Sequence, residues 1–532
     1  MDKRQAIAQY GPVIEALREI VGGEHIITDE QTRDYYSTDL SWRPREIAEV
    51  VIQPDTTEQL SQAVKTVTAA GMAVVARGGG MSYTSGYTPE RAGTMLVDML
   101  RMNRILEINT EDMIVRVECG CTWKDLYEAL RERGVRTPYF GPLSGKYATV
   151  GGALSQNSLF MGSGVYNTAA ESVLGLEVVL ADGSVLQTGS ATHINGSPFY
   201  RHFGPDLTGI FTADTGAFGL KTVATLRLIE TPAVTVYLSF GFETLAEMLS
   251  AQIRIARKRI TSECYGFDPY YNKSFEKQGF TFKEGLVVLK KIARKDGGAR
   301  GLVSAFKVAK AGKTFLREVN YSLHMAIDAI EDSAAEAALS ICRDICLEEV
   351  GYEIENSLPT AFRAEPFGGV RTLLLGSEGE IWIPVHGFMP LSKAIEVGEA
   401  TEKFIADNQV LMNEYGIKTS YLTCFSGTEF LIEPSLYWRD ELGPFRLSLI
   451  EPEFQAKWKD IPADSKTREV VLKLRDELRQ LYFDHGACHL QIGKYYQYQE
   501  AINNEPFRDL LSGIKDILDQ QRLINPGSLG LR

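Results

Sequence analysis

The sequence predicts an α+β protein built from more than one domain, and three observations carry that prediction. Its 532 residues exceed what a single domain of roughly 100–200 residues holds. Its 44% hydrophobic and 23% charged residues are those of a globular chain with a core, which excludes a disordered, collagenous or coiled-coil protein. Short strand-like runs alternate with helical ones as far as Pro232, after which longer helices and strands follow, so two kinds of mixed domain are expected.

Residues 1–43 read as a helical segment with a linker: PVIEALREIVG has apolar residues at helical spacing and stops at Gly22-Gly23. Residues 44–234 read as one α+β domain. It opens with a strand (EVVIQP), a helix capped by Thr56 or Thr57 (TTEQLSQAVKTVTAAG) and a second strand (MAVVAR). The runs TMLVDM, MIVRVECG, GLEVVLADG and SVLQTG then surround one clear helix, WKDLYEALRERG, and Asp182-Gly183 marks a hairpin turn. The strand LKTVATLRLIETP closes the domain. Residues 235–475 read as a second mixed domain, with VTVYLSFG and GEIWIPVHG as strands and LAEMLSAQIRIARKR and SAAEAALSICRDICLEEVG as helices. The last part, 476–532, holds HGACHLQIGKYYQY, a helix over 507–521 and the tail INPGSLGLR.

The formal charge of −13 excludes nucleic acid as the partner of the whole molecule. Residues 281–317 depart from that average, with ten Lys and Arg against two acids. Apolar runs interleave these charges, so the stretch is expected either as a solvated basic face or as a docking surface for an acidic electron carrier or an anionic membrane. The seven cysteines are odd in number and scattered, which fits a reducing compartment, and Cys342 and Cys346 are expected in the core of a helix. No stretch approaches the roughly 18 apolar residues of a membrane span, and the N-terminus lacks a signal-peptide core. The expected location is cytoplasmic, with peripheral attachment to the inner membrane face as the variant that the basic stretch suggests.

Chemistry is concentrated first in Val74-Val75-Ala76-Arg77-Gly78-Gly79-Gly80-Met81-Ser82-Tyr83-Thr84-Ser85-Gly86, a buried-strand pattern that runs into three glycines. Such a run presents several backbone N–H groups to one anion with no Cβ in the way, a phosphate cradle. Ser85, Gly86 and Pro89 exclude the helix that a dinucleotide-binding turn needs next, and Asp98 then reads as a strand-end residue. Alone, the loop is equally a plain tight turn.

Three further segments remove that ambiguity: Thr149-Val150-Gly151-Gly152-Ala153, residues 166–183 (YNTAAESVLGLEVVLADG) and residues 214–228 (DTGAFGLKTVATLRL). With the NPGSLG tail, they resemble in order and spacing the flavoprotein superfamily of vanillyl-alcohol oxidase and p-cresol methylhydroxylase (PCMH). The resemblance implies a PCMH-type FAD-binding domain of two subdomains, a cap domain of antiparallel sheet flanked by helices, of the FAD-linked oxidase C-terminal type, and a C-terminal segment that returns to the FAD domain. It also implies FAD contacts at Arg77, Gly78, Gly79, Gly80, Met81, Ser82, Gly86, Thr149, Val150, Gly151, Gly152, Ala153, Ser155, Gly175, Gly216, Gly219, Leu220 and Thr222. Met81 stands where relatives with a histidine-linked flavin carry His, and a thioether cannot form that bond. A link through a His or Tyr of the cap stays open, and noncovalent FAD is expected.

Residues 486–496 resemble the strand that bears a substrate-binding Tyr-Arg pair in the phenol oxidases of this superfamily. Tyr495 falls on the Tyr, and Tyr496 stands where the Arg would be. Residues 166–183 are close to flavin-linked D-2-hydroxy-acid dehydrogenases, although the metal-binding HxGDGN motif of those enzymes is absent. His485 and His489 are four apart with no third ligand evident, so no metal is expected. The expected catalytic set is Tyr495, His489, His386 and Arg371: an Arg to clamp a carboxylate, with Arg363 beside it, and a His or Tyr to take a hydroxyl proton. The expected activity is an FAD-dependent oxidoreductase passing hydride from a hydroxylated carbon of a 2-hydroxy acid or alcohol to flavin N5. The alternatives are oxidation of para-substituted phenols and, in a different class, a flavin-binding electron-transfer subunit. Expected partners are a small-molecule substrate, a cytochrome, quinone or membrane surface met through 281–317, and a second copy in a homodimer, with no nucleic acid.

Overall fold

The computed structural model describes residues 3–278, 316 and 318–531, so nearly all of the basic stretch 281–317, and the docking expectation attached to it, lies outside the described residues. The chain forms two compact units: Met1–Ser158, Ala169–Glu230 and Leu490–Arg532 make the first, and Leu159–Thr168 and Thr231–His489 the second. This division differs from the expected boundaries in three places. The N-terminal segment is an integral part of the first unit, because the helix Lys3–Val21 packs Leu17 and Val21 against Leu60, Val64 and Val67 of the helix Thr57–Ala69. The chain stays in the second unit as far as His489 because the helix Ser465–Asp484 packs on that unit's strand Glu429–Trp438. Residues Leu159–Thr168 belong to the second unit: Gly164 N donates to Ser262 O at 2.9 Å, and a Cβ there would lie 2.2 Å from Thr261 O.

Among the described residues the first unit has two larger sheets and a two-stranded ribbon, Val135–Arg136 with Ile229–Glu230. The strand, helix and strand read from the sequence are Val50–Ile52, Thr57–Ala69 and Ala73–Arg77, and the Thr56 side chain caps the helix by accepting from Gln59 N at 3.2 Å. Leu60, Ala63, Val64 and Val67 are fully buried on one helix face, each larger side chain contributing about 1.5–3 kcal/mol. Thr94–Asp98 lies between Val50–Ile52 and Ala73–Arg77, parallel to both. Beyond Ala73–Arg77 the tail closes the edge: Val74 N donates to Leu523 O and Asn525 N to Val74 O, each at 2.8 Å. The second sheet is antiparallel, in the order Ile105–Asn109, Ile114–Glu118, Leu220–Arg227, Val173–Val179 and Val185–Gln187. The Asp182-Gly183 hairpin is present, with Gly183 at φ +82°.

Thr149 to Ala153 begin a helix, Val150–Gln156, whose cap Thr149 accepts from Gly152 N at 3.2 Å. Glycine in a first turn costs up to about 1 kcal/mol per residue, but Gly151 has no alternative, because a Cβ would sit 2.7 Å from Cys119 Cβ.

The second unit is built on an eight-stranded antiparallel sheet, in the order Tyr352–Glu353, Val234–Phe242, Tyr321–Ala329, Glu263–Phe267, Lys418–Ser426, Glu429–Trp438 and Ile381–Pro384, with Gly387–Pro390 also paired to Glu429–Trp438. Helices Leu245–Ala256 and Asp332–Glu348 pack against it, and the latter buries Cys342 and Cys346. The α+β class and the antiparallel cap are therefore as expected. Among the described residues no helix is long and apolar enough to cross a membrane.

Candidate flavin site

A cleft lies within the first unit. Of the expected FAD contacts, Gly78, Gly79, Gly80, Met81, Ser82, Gly86, Thr149, Gly151, Gly152, Ala153, Ser155, Gly216, Gly219 and Leu220 line it. Four do not. Arg77 is 3% exposed and sits 5.1–5.9 Å from the rings of Tyr35, Tyr36 and Tyr87; it donates to Gly78 O at 3.2 Å and so braces the glycine run from behind. Val150 is fully buried in the core. Gly175 is interior to its strand, where a Cβ would lie 2.9 Å from Thr188 O. Thr222 spends its hydroxyl on Glu177 Oε1 at 2.8 Å.

Lys221 falls within the run Gly216 to Thr222 that the resemblance implies, whereas two further wall side chains, Asn525 and Gln491, were not singled out as contacts. The Lys221 side chain is 2% exposed; it donates to Asp214 Oδ1 at 2.7 Å and to Ser155 Oγ at 2.9 Å. Burial pushes the Asp214 carboxyl up, against the pull of Lys221. Asn525, in the NPG tail, donates from Nδ2 to Gly86 O and to Thr215 O, each at 2.7 Å, and Gln491 reaches the same cleft. The buried pair Lys515 and Asp519 holds the tail in place: Lys515 Nζ donates to Ala217 O, Ile524 O and Asp519 Oδ2 at 2.6–2.8 Å. The motif letters NPG were visible in the sequence; the reach of Asn525 across 439 residues to Gly86 was not. Cys119 also lines the cleft, but burial pushes its thiol up to about 12, so it is a neutral wall group.

The chemistry of this wall suits a dinucleotide. The amides of Gly79 and Gly80 take no partner among the described residues, which leaves them to an anion, while Tyr87, Met99 and Leu220 supply apolar surface. A glycine-cradled cleft in this unit is the arrangement expected of an FAD-binding protein. Residues 48–189 match the family described as FAD binding domain, and the cofactor is FAD.

Similarity to individual proteins agrees. The chain is 28% identical over 248 residues to glycolate oxidase subunit GlcD of Bacillus subtilis, covering 45% of this chain and 51% of that one. It is 25% identical over 257 residues to the mitochondrial D-lactate dehydrogenase [cytochrome] 1 of Saccharomyces cerevisiae, covering 47% and 42%. It thus spans about half the length of the curated relatives it matches. Across 98% of this chain and 97% of the other it shares the fold of substrate-bound p-cresol methylhydroxylase, at a TM-score of 0.73 and 15% identity. The PCMH-type architecture expected from the motifs is the one observed.

The expected catalytic residues divide between the units. In the first, Tyr495 is 5% exposed and packs edge-on against Tyr496, with ring centroids 5.0 Å apart. In the second, His386 follows the strand Ile381–Pro384, and Phe388 and Cys488 exchange backbone hydrogen bonds of 2.7 and 2.8 Å that bring His489 beside it. His489 Nδ1 donates to His386 O at 2.7 Å; a carbonyl only accepts, so Nδ1 carries the proton and Nε2 the lone pair. Desolvation lowers the His489 pKa to about 4 and that of fully buried His386 well below its ordinary value.

Arg371 departs from the expected open clamp: its Nε lies 3.3 Å from Glu451 Oε2 and its guanidinium 3.9 Å from the Phe454 ring centroid. Arg363 is fully committed to Glu263, at 2.7 and 3.0 Å, and to Asp328, so it is a structural ion network and not a substrate ligand. His485 sits at a helix end with Nδ1 2.8 Å from Leu481 O.

The histidine shifts set a pH dependence. A folded-state pKa of about 4 against an ordinary 6.5 means that the unfolded chain takes up the proton first, so stability is lost as pH falls through that window. Urea midpoints are expected to drop between pH 6.5 and 4, and His489→Phe should flatten the dependence.

Proposed function

We propose that the protein is an FAD-dependent oxidoreductase that takes hydride from the hydroxylated carbon of a 2-hydroxy acid or alcohol. The observation that carries this reading is the glycine-walled FAD cleft, joined to a sequence similar to a glycolate oxidase subunit and a D-lactate dehydrogenase. FAD, when bound, supplies the hydride acceptor at N5. The chain's own residues do the rest. The Gly78–Gly80 amides and the Lys221–Asp214 pair hold and polarise the cofactor's surroundings, and a base takes the hydroxyl proton. Tyr495 and the Nε2 lone pair of His489 are the candidates for that base. With a pKa of about 4, His489 is a weak base that is neutral at physiological pH.

Anaerobic mixing with a panel of 2-hydroxy acids, alcohols and 4-alkylphenols tests the reading through bleaching of the bound flavin. Reduction by 4-alkylphenols alone would favour the phenol-oxidising alternative, which the position of Tyr495 supports, and reduction by none would favour an electron-transfer subunit. Within the proposal, Tyr495→Phe or His489→Ala slows single-turnover flavin reduction about 100-fold with FAD retained. Equal rates in both variants and the parent would place the base elsewhere. Yellow supernatant after acid precipitation is the outcome proposed for noncovalent FAD. We carry forward as proposals a homodimer, a cytochrome or quinone acceptor, and a cytoplasmic or inner-membrane-face location.

A further inference from the structure

The segment from Ser82 to Thr88 has no helix or strand, yet none of its side-chain-bearing residues is more than 7% exposed. Buried irregular backbone needs its N–H and C=O groups met from elsewhere. Two segments distant in sequence meet them. On one side Lys494 N donates to Thr84 O at 2.9 Å, and Lys494 Nζ to Thr88 O at 2.6 Å. On the other, the strap before the FAD-binding residues contributes the carboxylate of Asp39, 4% exposed, which accepts from Ser85 N at 2.9 Å and Ser41 N at 2.8 Å. Leu40 N donates to Ser82 O at 2.9 Å, and the Ser41 and Ser85 hydroxyls are 2.8 Å apart.

Ser85 is at φ +59°, a left-handed conformation that a residue with a side chain adopts only when its surroundings impose it. Its neighbours on either side form the cleft wall: Ser82 and Gly86 both line it, and Ser82 Oγ accepts from Gly86 N at 2.9 Å. We propose that Asp39 is a positioning residue of the FAD site: by accepting the Ser85 N–H it holds Ser85 left-handed, and so fixes Ser82 and Gly86 in the cradle. Asp39 lies outside residues 48–189, to which the FAD-binding match is confined. The proposal rests on the cleft and on no particular substrate.

The test uses purified holoprotein and needs no turnover. The dissociation constant for FAD is read from flavin fluorescence released on serial dilution, and thermal midpoints are taken in excess FAD. Asp39→Ala is expected to weaken FAD binding about tenfold to a hundredfold, the usual effect of losing a charged acceptor to buried amides. Ser85→Gly, which frees the left-handed conformation from any need for support, should bind within about threefold of the parent, and Asp39→Ala/Ser85→Gly should regain roughly tenfold. A merely structural Asp39 would lower the thermal midpoint while leaving FAD affinity, and its response to Ser85→Gly, unmoved. Unchanged affinity, or a loss that Ser85→Gly does not restore, overturns the proposal. Should Asp39→Ala fail to fold, Asp39→Asn, which keeps one of the two acceptors, is read for the same rescue. Substrate panels are unaffected by this outcome, so the failure of either idea is visible separately.

Discussion

Gly79→Ala is expected to purify colourless. A Cβ on Gly79 would stand 1.8 Å from Tyr147 O and 2.5 Å from Tyr147 C, far inside any real non-bonded contact. The obstacle is backbone, and it is held: Tyr147 N and Ala148 N both donate to Ser144 O at 2.9 Å, directly before the helix cap Thr149. The glycine run must therefore move away from the wall it completes, and affinity for FAD should fall more than about 100-fold through misplaced amides. Flavin per protein after acid precipitation measures this. Gly513→Ala, where nothing lies within 4 Å, is the control that should keep its flavin; equimolar flavin in Gly79→Ala would remove the cradle assignment. The sequence placed the reason for Gly79 at the pyrophosphate, whereas the structure places it one step earlier, in the protein's own wall.

Lys221→Met should destabilise the first unit by about 3–5 kcal/mol, because it leaves Asp214, with a fully buried side chain, facing no counter-charge. The thermal midpoint is expected to fall on the order of 10 °C. Replacing both partners, Lys221→Met/Asp214→Asn, removes the stranded charge and should restore most of the loss in calorimetry. A single variant as stable as its parent would mean that Asp214 protonates at little cost, and the pair would lose its assigned role.

The parts of the fold that were legible are those written in local chemistry. Thr56 caps its helix as side chains of its type do, Asp182-Gly183 turns a hairpin, and apolar runs such as MAVVAR and TMLVDM hold strands. What was not legible depends on partners far along the chain. Residues Leu159–Thr168 carry no composition shift, and their membership of the second unit follows from contacts to residues near 262 and 427. Arg77 looks like a phosphate ligand by motif, yet three tyrosine rings from two separate segments cage it. His489 and His386 are 103 residues apart, so their pairing has no spacing signature. The FAD cradle was readable because most of it is backbone shaped by glycine; the pairing of Lys221 with Asp214 and the reach of Asn525 were not.

The edge pairing of Ile524 with Val74 has a consequence for synthesis. The residues that finish the cleft wall are translated 439 positions after Gly86, which at 5–20 residues per second is roughly 20–90 s later. A sheet of Val50–Ile52, Thr94–Asp98 and Ala73–Arg77 formed within that interval would have its outer strand unpaired and its apolar wall open, and would be exposed to edge-to-edge association. The yield of coloured protein should then respond to chaperone supply and growth temperature as much as to the supply of riboflavin.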